Sequence, residues 1–199
     1  IYLGDEATYG DVARDAKARS AGPKSDNMVK DVDLTYVADK SRTRINLQAL
    51  GRRLATNDPV VGAQANEVFA STEVLSAVGG VMDQFGLEKN NVAHTYALYW
   101  VVYWGLANKV YDAPSADAMQ AVAVQAERGF ANSADFAAMD NSQKQATAEE
   151  LMALNAIMDA SSEQAKSDPS LAAQLAKAAL VGSRKSGLDL DKMNVTEDG

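Results

Sequence analysis

The sequence predicts an all-α fold: a single-domain bundle of about six or seven helices packed around one buried aromatic helix, roughly Asn91 to Tyr111. Three observations predict it. Apolar residues recur at three- and four-residue spacing from about Ser41 onward. Candidate N-caps, two of them followed by proline, mark where segments restart. Hairpin signals are missing, since no Asn-Gly or Asp-Gly pair joins alternating runs and no series of β-branched segments occurs.

Residues 1–33 are the least patterned and read as an N-terminal arm ahead of a helical domain spanning 34–199. Asp5 could cap a short helix reaching Arg19, interrupted by Gly10, and Ser20 to Asn27 has turn and linker composition. In Asp31 to Val37, the alternation of Val32, Leu34 and Tyr36 with polar residues predicts a short extended piece.

The first bundle helix runs to about Asn57, with Ile45, Leu47, Leu50 and Leu54 expected inside. Asp58-Pro59 restarts the chain as an N-cap acid followed by proline, and Val61, Ala65, Val68 and Phe69 form the expected inner face. Ser71 or Thr72 opens a third helix carrying Val74, Leu75, Val78, Val81, Met82 and Phe85. Gly86 stops it, and Leu87 stands where a Schellman motif places an apolar residue against Met82. The pair Gly79-Gly80 inside this pattern marks a close helix contact.

The central helix has two apolar stripes. Val92, Tyr96, Tyr99, Tyr103, Leu106 and Val110 form one; Ala93, Ala97, Trp100, Trp104, Ala107 and Tyr111 form the other. A helix apolar nearly all round is normally enclosed by other helices. Pro114-Ser115 begins the next, with Met119, Val122, Ala123, Ala126 and Phe130 at helical spacing. Ser133 to Met139 predicts a short turn of helix. A long helix from Asn141 to Lys166 places Ala148, Leu151, Leu154 and Met158 inward. Asp168-Pro169 repeats the restart, and Leu171, Leu175, Ala178 and Ala179 face inward before Gly187. The polar tail keeps Leu188, Leu190, Met193 and Val195 as docking residues.

Composition excludes several function classes. With 19 basic and 27 acidic residues the net charge is −8, opposite in sign to what nucleic-acid binding requires, and adsorption to an anionic membrane is disfavoured as well. The absence of cysteine removes disulfides, thiolate nucleophiles, iron–sulfur clusters and Cys-type zinc sites. No run approaches the ~18 apolar residues of a membrane span. Neither Walker nor dinucleotide glycine fingerprints occur, and Gly182-Ser183 lacks the second glycine of a nucleophile elbow. No cofactor is expected. A chain beginning at Ile1 reads as processed or trimmed, an expectation in keeping with export.

What remains are two candidate sites. His94 is the only histidine, without the Glu-x-x-His pairing of a di-metal bundle, because position 91 is Asn. With Asn90, Asn91 and Thr95 it lies at the start of the aromatic helix, where backbone N–H groups could hold an anion. His94, Tyr96, Tyr99, Trp100 and Tyr103 are therefore the candidate ligand-binding set, the aromatics walling an apolar cavity with polar handles or, in the plainer reading, filling a core. The second candidate is a run of five basic residues without an acid: Lys40, Arg42, Arg44, Arg52 and Arg53. Either these pair internally, or Arg42, Arg44, Arg52 and Arg53 form a patch for an acidic protein partner. The pairs Glu149 with Glu150 and Asp159 with Glu163 read as solvated helix faces, a carboxylate-dependent hydrolase being the alternative. The acidic tail from Asp189 to Asp198 lacks the ligand order of an EF-hand loop.

The stretch Gly86 to Trp100, with Asn90-Asn91-Val92-Ala93-His94-Thr95-Tyr96-Ala97-Leu98-Tyr99-Trp100 at its heart, resembles the central motif of a bacterial family of unknown function. So does the ending Gly187-Leu188-Asp189-Leu190-Asp191-Lys192-Met193-Asn194-Val195-Thr196-Glu197-Asp198-Gly199. The similarity extends over about Leu34 to Gly199. It implies an exported protein of Gram-negative bacteria, periplasmic or secreted, with a signal peptide ahead of the helical domain, and it brings no catalytic residues with it. His94 stands where the resemblance leads one to expect other residue types, which counts against a catalytic role. The expectation from sequence is a non-enzymatic exported domain that binds a protein partner, with an apolar-ligand carrier as the alternative.

Overall fold

The computed structural model describes residues 32–198, with the side chains of Val60, Val61 and Gln64 left out. Among the described residues there are eight α-helices: α1 (Lys40–Asn57), α2 (Pro59–Val68), α3 (Glu73–Gln84), α4 (Val92–Asn108), α5 (Ala116–Ala131), α6 (Ala134–Ala137), α7 (Asn141–Ala165) and α8 (Pro169–Lys185), followed by a 3₁₀ turn at Leu190–Lys192. No strand occurs among them, only an antiparallel bridge between Thr35 and Asn91. The possible arm helix from Asp5 lies outside the described residues.

Local chemistry starts these helices where the sequence restarts. Asp39 caps α1 by accepting from the N–H groups of Ser41 and Arg42, and Asp168 caps α8 in the same way ahead of Pro169. Asp140 and Gln143 form a reciprocal capping box at α7. Gly86, at φ +68°, ends the α3 segment with Leu87 N–H bonded to Met82 O at 2.9 Å, the Schellman closure that the Gly-Leu pair predicts.

Helix α4 is the hub, packed against α5, α7 and α8 and touched by the 3₁₀ turn. All its residues are buried except Val102, Trp104 and Asn108, so the apolar-all-round reading holds. It stops three residues earlier than Tyr111. Lys109 turns left-handed at φ 58°, and Val110 N–H returns to Gly105 O at 2.9 Å, leaving Val110 42 % exposed. Around this hub, α7 also supports α1 and α3, whereas α2 packs chiefly on α1. The extended piece is present as predicted. Tyr36 N–H bonds Asn90 O and Val92 N–H bonds Leu34 O, while Val37 exchanges two hydrogen bonds with the Asn141 side chain. It thereby ties the starts of α4 and α7 together.

Several inward assignments change. Ile45 is 61 % exposed because Thr43, Leu47, Leu50 and Leu54 define the buried face, and at about 100° per residue position 45 falls opposite it. Val68 and Val81 are likewise exposed, and Ala178 yields its place to Ala172, Ala176 and Ala179. Of the glycine pair, only Gly79 makes a close contact; a Cβ there would meet Lys89 at 3.3 Å and Met152 at 3.9 Å, whereas Gly80 faces open space.

Candidate functional site

The aromatic set is brought together, as a packed cluster. Tyr96 lies edge-on to Trp100 and to Phe130 of α5, with centroids 5.9 and 5.0 Å apart, and Tyr99 stacks on Tyr103 at 5.6 Å. Trp100 meets Tyr99 and Tyr103 edge-on at 5.4 and 5.5 Å. Such pairs each add about 0.5–1.5 kcal/mol beyond the area they bury. Burial pushes the Tyr96 phenol well above its ordinary range and does the same to Tyr103. Neither phenol is set up to lose its proton near neutral pH. These contacts are those of a core.

His94 is engaged at both ring nitrogens. Nδ1 accepts the Glu88 N–H at 2.8 Å, and Nε2 lies 2.9 Å from Glu127 Oε1. A nitrogen that accepts has no proton of its own, so the neutral ring carries its proton on Nε2 and donates it to Glu127. Neither nitrogen is left to act as a base or ligand. The anion-site expectation is met by the protein itself, since Asn91 Oδ1 takes the N–H groups of Ala93 and His94 and Thr95 donates to Val92 O. A shallow depression of about 480 Å³ lies beside this point, lined by Asp83, Gly86, Leu87, Glu88, Lys89 and Asn90.

The basic helix departs from the internal-pairing expectation at three of its four arginines. Arg53 pairs with Glu150 of α7. Arg42, Arg44 and Arg52 are exposed, and no described residue forms an ion pair or hydrogen bond with their guanidinium groups. Ile45 stands among them.

Behind that helix lies a group that the sequence reading took for solvated surface. Glu149 is 3 % exposed, and no cation pairs with it among the described residues. Its Oε1 accepts from Thr43 Oγ1 at 2.6 Å and Gln145 Nε2 at 2.9 Å, and its Oε2 accepts from Asn46 Nδ2 at 2.6 Å. Gln145 Nε2 also donates to Asp39 O, and its Oε1 accepts the Asp39 N–H. The result is a buried polar latch that clasps α1 onto α7. The nearby Glu149 charge adds to the burial that raises Tyr36, whose hydroxyl donates to Lys89 O. A signal was present: Gln145 and Glu149 are four apart on α7, and Thr43 and Asn46 three apart on α1, which places each pair on one face.

Of the second candidate pair, Asp159 is exposed. Glu163 pairs with Lys166. In the tail, Asp189 and Asp191 hold Arg184, and Lys192 also bonds Asp189; these contacts keep the Asp189 carboxyl far below the usual carboxylate range. The tail is strapped to α4 and α5 through its backbone: Trp104 Nε1 donates to Met193 O, Asn108 to Leu190 O and Gln125 to Asp198 O. Leu188 and Leu190 are buried and Val195 half-buried, as docking residues should be, while Met193 stays exposed. Among the described residues no group of three or more His, Asp or Glu is arranged to hold a metal ion, and no helix is long and apolar enough to cross a membrane.

Fold and surface together define an all-α domain with a packed aromatic cluster on α4 and, on α1, three exposed arginines without an ion pair to any described residue. The chain belongs to the Family of unknown function (DUF6683), whose model matches residues 7–199. The match takes in most of the N-terminal arm, which the resemblance over Leu34 to Gly199 left outside. No curated protein and no solved structure matches the chain.

Proposed function

We propose that this chain is a non-enzymatic helical domain, exported to the periplasm or the medium, that works by binding another protein. One observation carries the reading: Arg42, Arg44 and Arg52 stand exposed on α1 without an ion pair to any described residue, in a chain with eight more acids than bases. Cations of an acidic protein ordinarily find acids of the same surface, and a strip that does not is available to a partner's carboxylates. The engaged state of His94, Glu149, Glu150 and Glu163 favours binding over acid–base chemistry.

The test is capture by the tagged full chain from periplasmic and culture-fluid fractions of the producing cell. The parallel bait is the triple variant R42E/R44E/R52E. The reading predicts a protein retained by the native chain and lost by the variant, whose circular dichroism and melting stay native. Equal recovery by both would sink it, as would finding the chain itself only in the cytoplasm.

A small-ligand carrier is favoured by a different observation. The Asn155 side chain, 3 % exposed, has neither its Nδ2 nor its Oδ1 in a hydrogen bond, and the buried Tyr111 hydroxyl has none either. Buried amides without partners are costly, and a bound molecule would relieve the cost. Native mass spectrometry of the chain purified from its own cell decides it: an apo mass alone ends this reading.

A further inference from the structure

The outer face of α1 has more structure than a set of charges. At about 100° and 1.5 Å per residue, the ridge opposite Thr43, Leu47, Leu50 and Leu54 runs through Ser41, Ile45, Gln48, Ala49, Arg52 and Thr56, all exposed. Its midsection is one large apolar side chain, Ile45 at 61 % exposure, beside the short Ala49. Arg52 lies seven residues further along, roughly 10 Å up the axis. Arg42 and Arg44 flank Ile45 on its two sides. The inner side is pinned, because Thr43 and Asn46 bond Glu149, and Arg53 bonds Glu150. The ridge is therefore presented by a helix fixed at both its cap and its inner face, which lowers the ordering cost of a contact.

We propose that this ridge seats an acidic amphipathic helix of the partner protein, with Ile45 as the apolar anchor and Arg42, Arg44 and Arg52 reading carboxylates around it. This rests on the protein-binding function proposed above and assigns its face and its partner chemistry. Charge complementarity selects the occupant. Helix α1 holds five of the chain's 19 basic residues and none of its 27 acids, so a carboxylate meets attraction here and repulsion over the rest of the surface. A second apolar helix would leave the guanidinium groups desolvated and unpaired, which is unfavourable. An anionic bilayer or a nucleic acid would carry phosphates beyond a strip one helix wide, against a chain of net charge −8. On a partner helix, an apolar residue and a carboxylate seven apart match Ile45 and Arg52, and flanking acids meet Arg42 and Arg44 with bidentate geometry.

The experiment places a benzophenone side chain at Gln48, on the ridge, and in a second variant at the exposed Lys177 of α8. Each full chain is made in its own cell and irradiated, and the crosslinked segment is mapped by peptide mass spectrometry. The expected result is one protein adduct from position 48 and none from position 177, at a helical segment with acids spaced about an apolar residue. Ile45→Glu, and separately R42E/R52E, lower its yield at least tenfold while melting stays within 2 °C of native, an order-of-magnitude criterion for surface changes. An adduct on a neutral or basic segment, on lipid or on nucleic acid overturns the inference, as does a yield indifferent to R42E/R52E. So does co-sedimentation of the purified chain with phosphatidylglycerol vesicles at physiological salt that R42E/R52E abolishes. An adduct at position 177 alone removes α1 as the face and leaves protein binding standing. No protein adduct at either position removes both.

Discussion

Truncating Glu149 tests how the basic helix is held. In Glu149→Ala, three hydrogen bonds to a charged acceptor disappear, from Thr43, Gln145 and Asn46. Each such bond is worth about 1.5–3 kcal/mol. Two effects reduce the sum. Thr43 and Gln145 keep Asp39 O as an acceptor, and removing the carboxylate also removes the cost of burying its charge. The net expectation is a loss of about 3 kcal/mol, which for a domain of this size lowers the melting temperature by roughly 6–12 °C. Glu149→Gln keeps the shape, and Asn46 can turn its amide to present Oδ1 to the new NH₂, so about 1 kcal/mol or less is lost. Urea unfolding followed by circular dichroism at 222 nm, with calorimetry, measures both. An alanine variant within 0.5 kcal/mol of native would mean that Glu149 is an ordinary surface acid and that the latch is wrong. A glutamine variant as damaged as the alanine one would contradict the claim that hydrogen-bond geometry holds the helices.

Three further outcomes are expected. In Gly62→Ala the new Cβ would lie 2.2 Å from Ala55 Cα, so the α1–α2 crossing must open at a cost of about 1–3 kcal/mol; Gly80→Ala, with open space around it, should instead gain about 0.5–1 kcal/mol, and equal effects in urea unfolding would discredit the packing. The folded state lowers the Asp189 pKa through Lys192 and Arg184, so its contribution is present above about pH 4 and fades as the pH falls below that. Trp104 fluorescence should then shift as the tail loosens in acid, and Asp189→Asn should show part of that shift at pH 7; an unchanged signal in both would contradict the strap. In His94→Ala the Glu88 N–H loses its acceptor at Nδ1, so the Glu88 amide should lose hydrogen-exchange protection relative to its neighbours, and unchanged protection would refute that contact.

Helix spacing and capping residues made most of the fold legible, because both are local. Asp168 caps its helix as the Asp168-Pro169 restart predicts, and the 3-4 periodicity of α4 foretold enclosure. The end of α4 was not legible: Val110 and Tyr111 continue the apolar stripe, and only the return of Val110 N–H to Gly105, where a Cβ would meet Val110 O at 2.5 Å, stops the helix at Asn108. Ile45 was misassigned because an apolar residue at a helix start looks inward until its angle to Leu47 and Leu54 is compared. Of the site, the basic run could be read from composition, but whether its cations were paired depends on which helix lies opposite. Glu149 escaped for the same reason. A glutamate on a helix is normally solvated, and its burial rests on Thr43 and Asn46, about a hundred residues earlier in the chain.

The central claim is that Arg42, Arg44 and Arg52 are free on the isolated chain and covered at work. Phenylglyoxal footprinting with mass-spectrometric readout measures this at each arginine. The account predicts fast modification of these three and slower modification of the Glu150-paired Arg53 in the purified protein, with the three selectively protected when the chain is labelled in its own cell. Equal reactivity in both settings, or slow modification of the three in the purified chain, would contradict it.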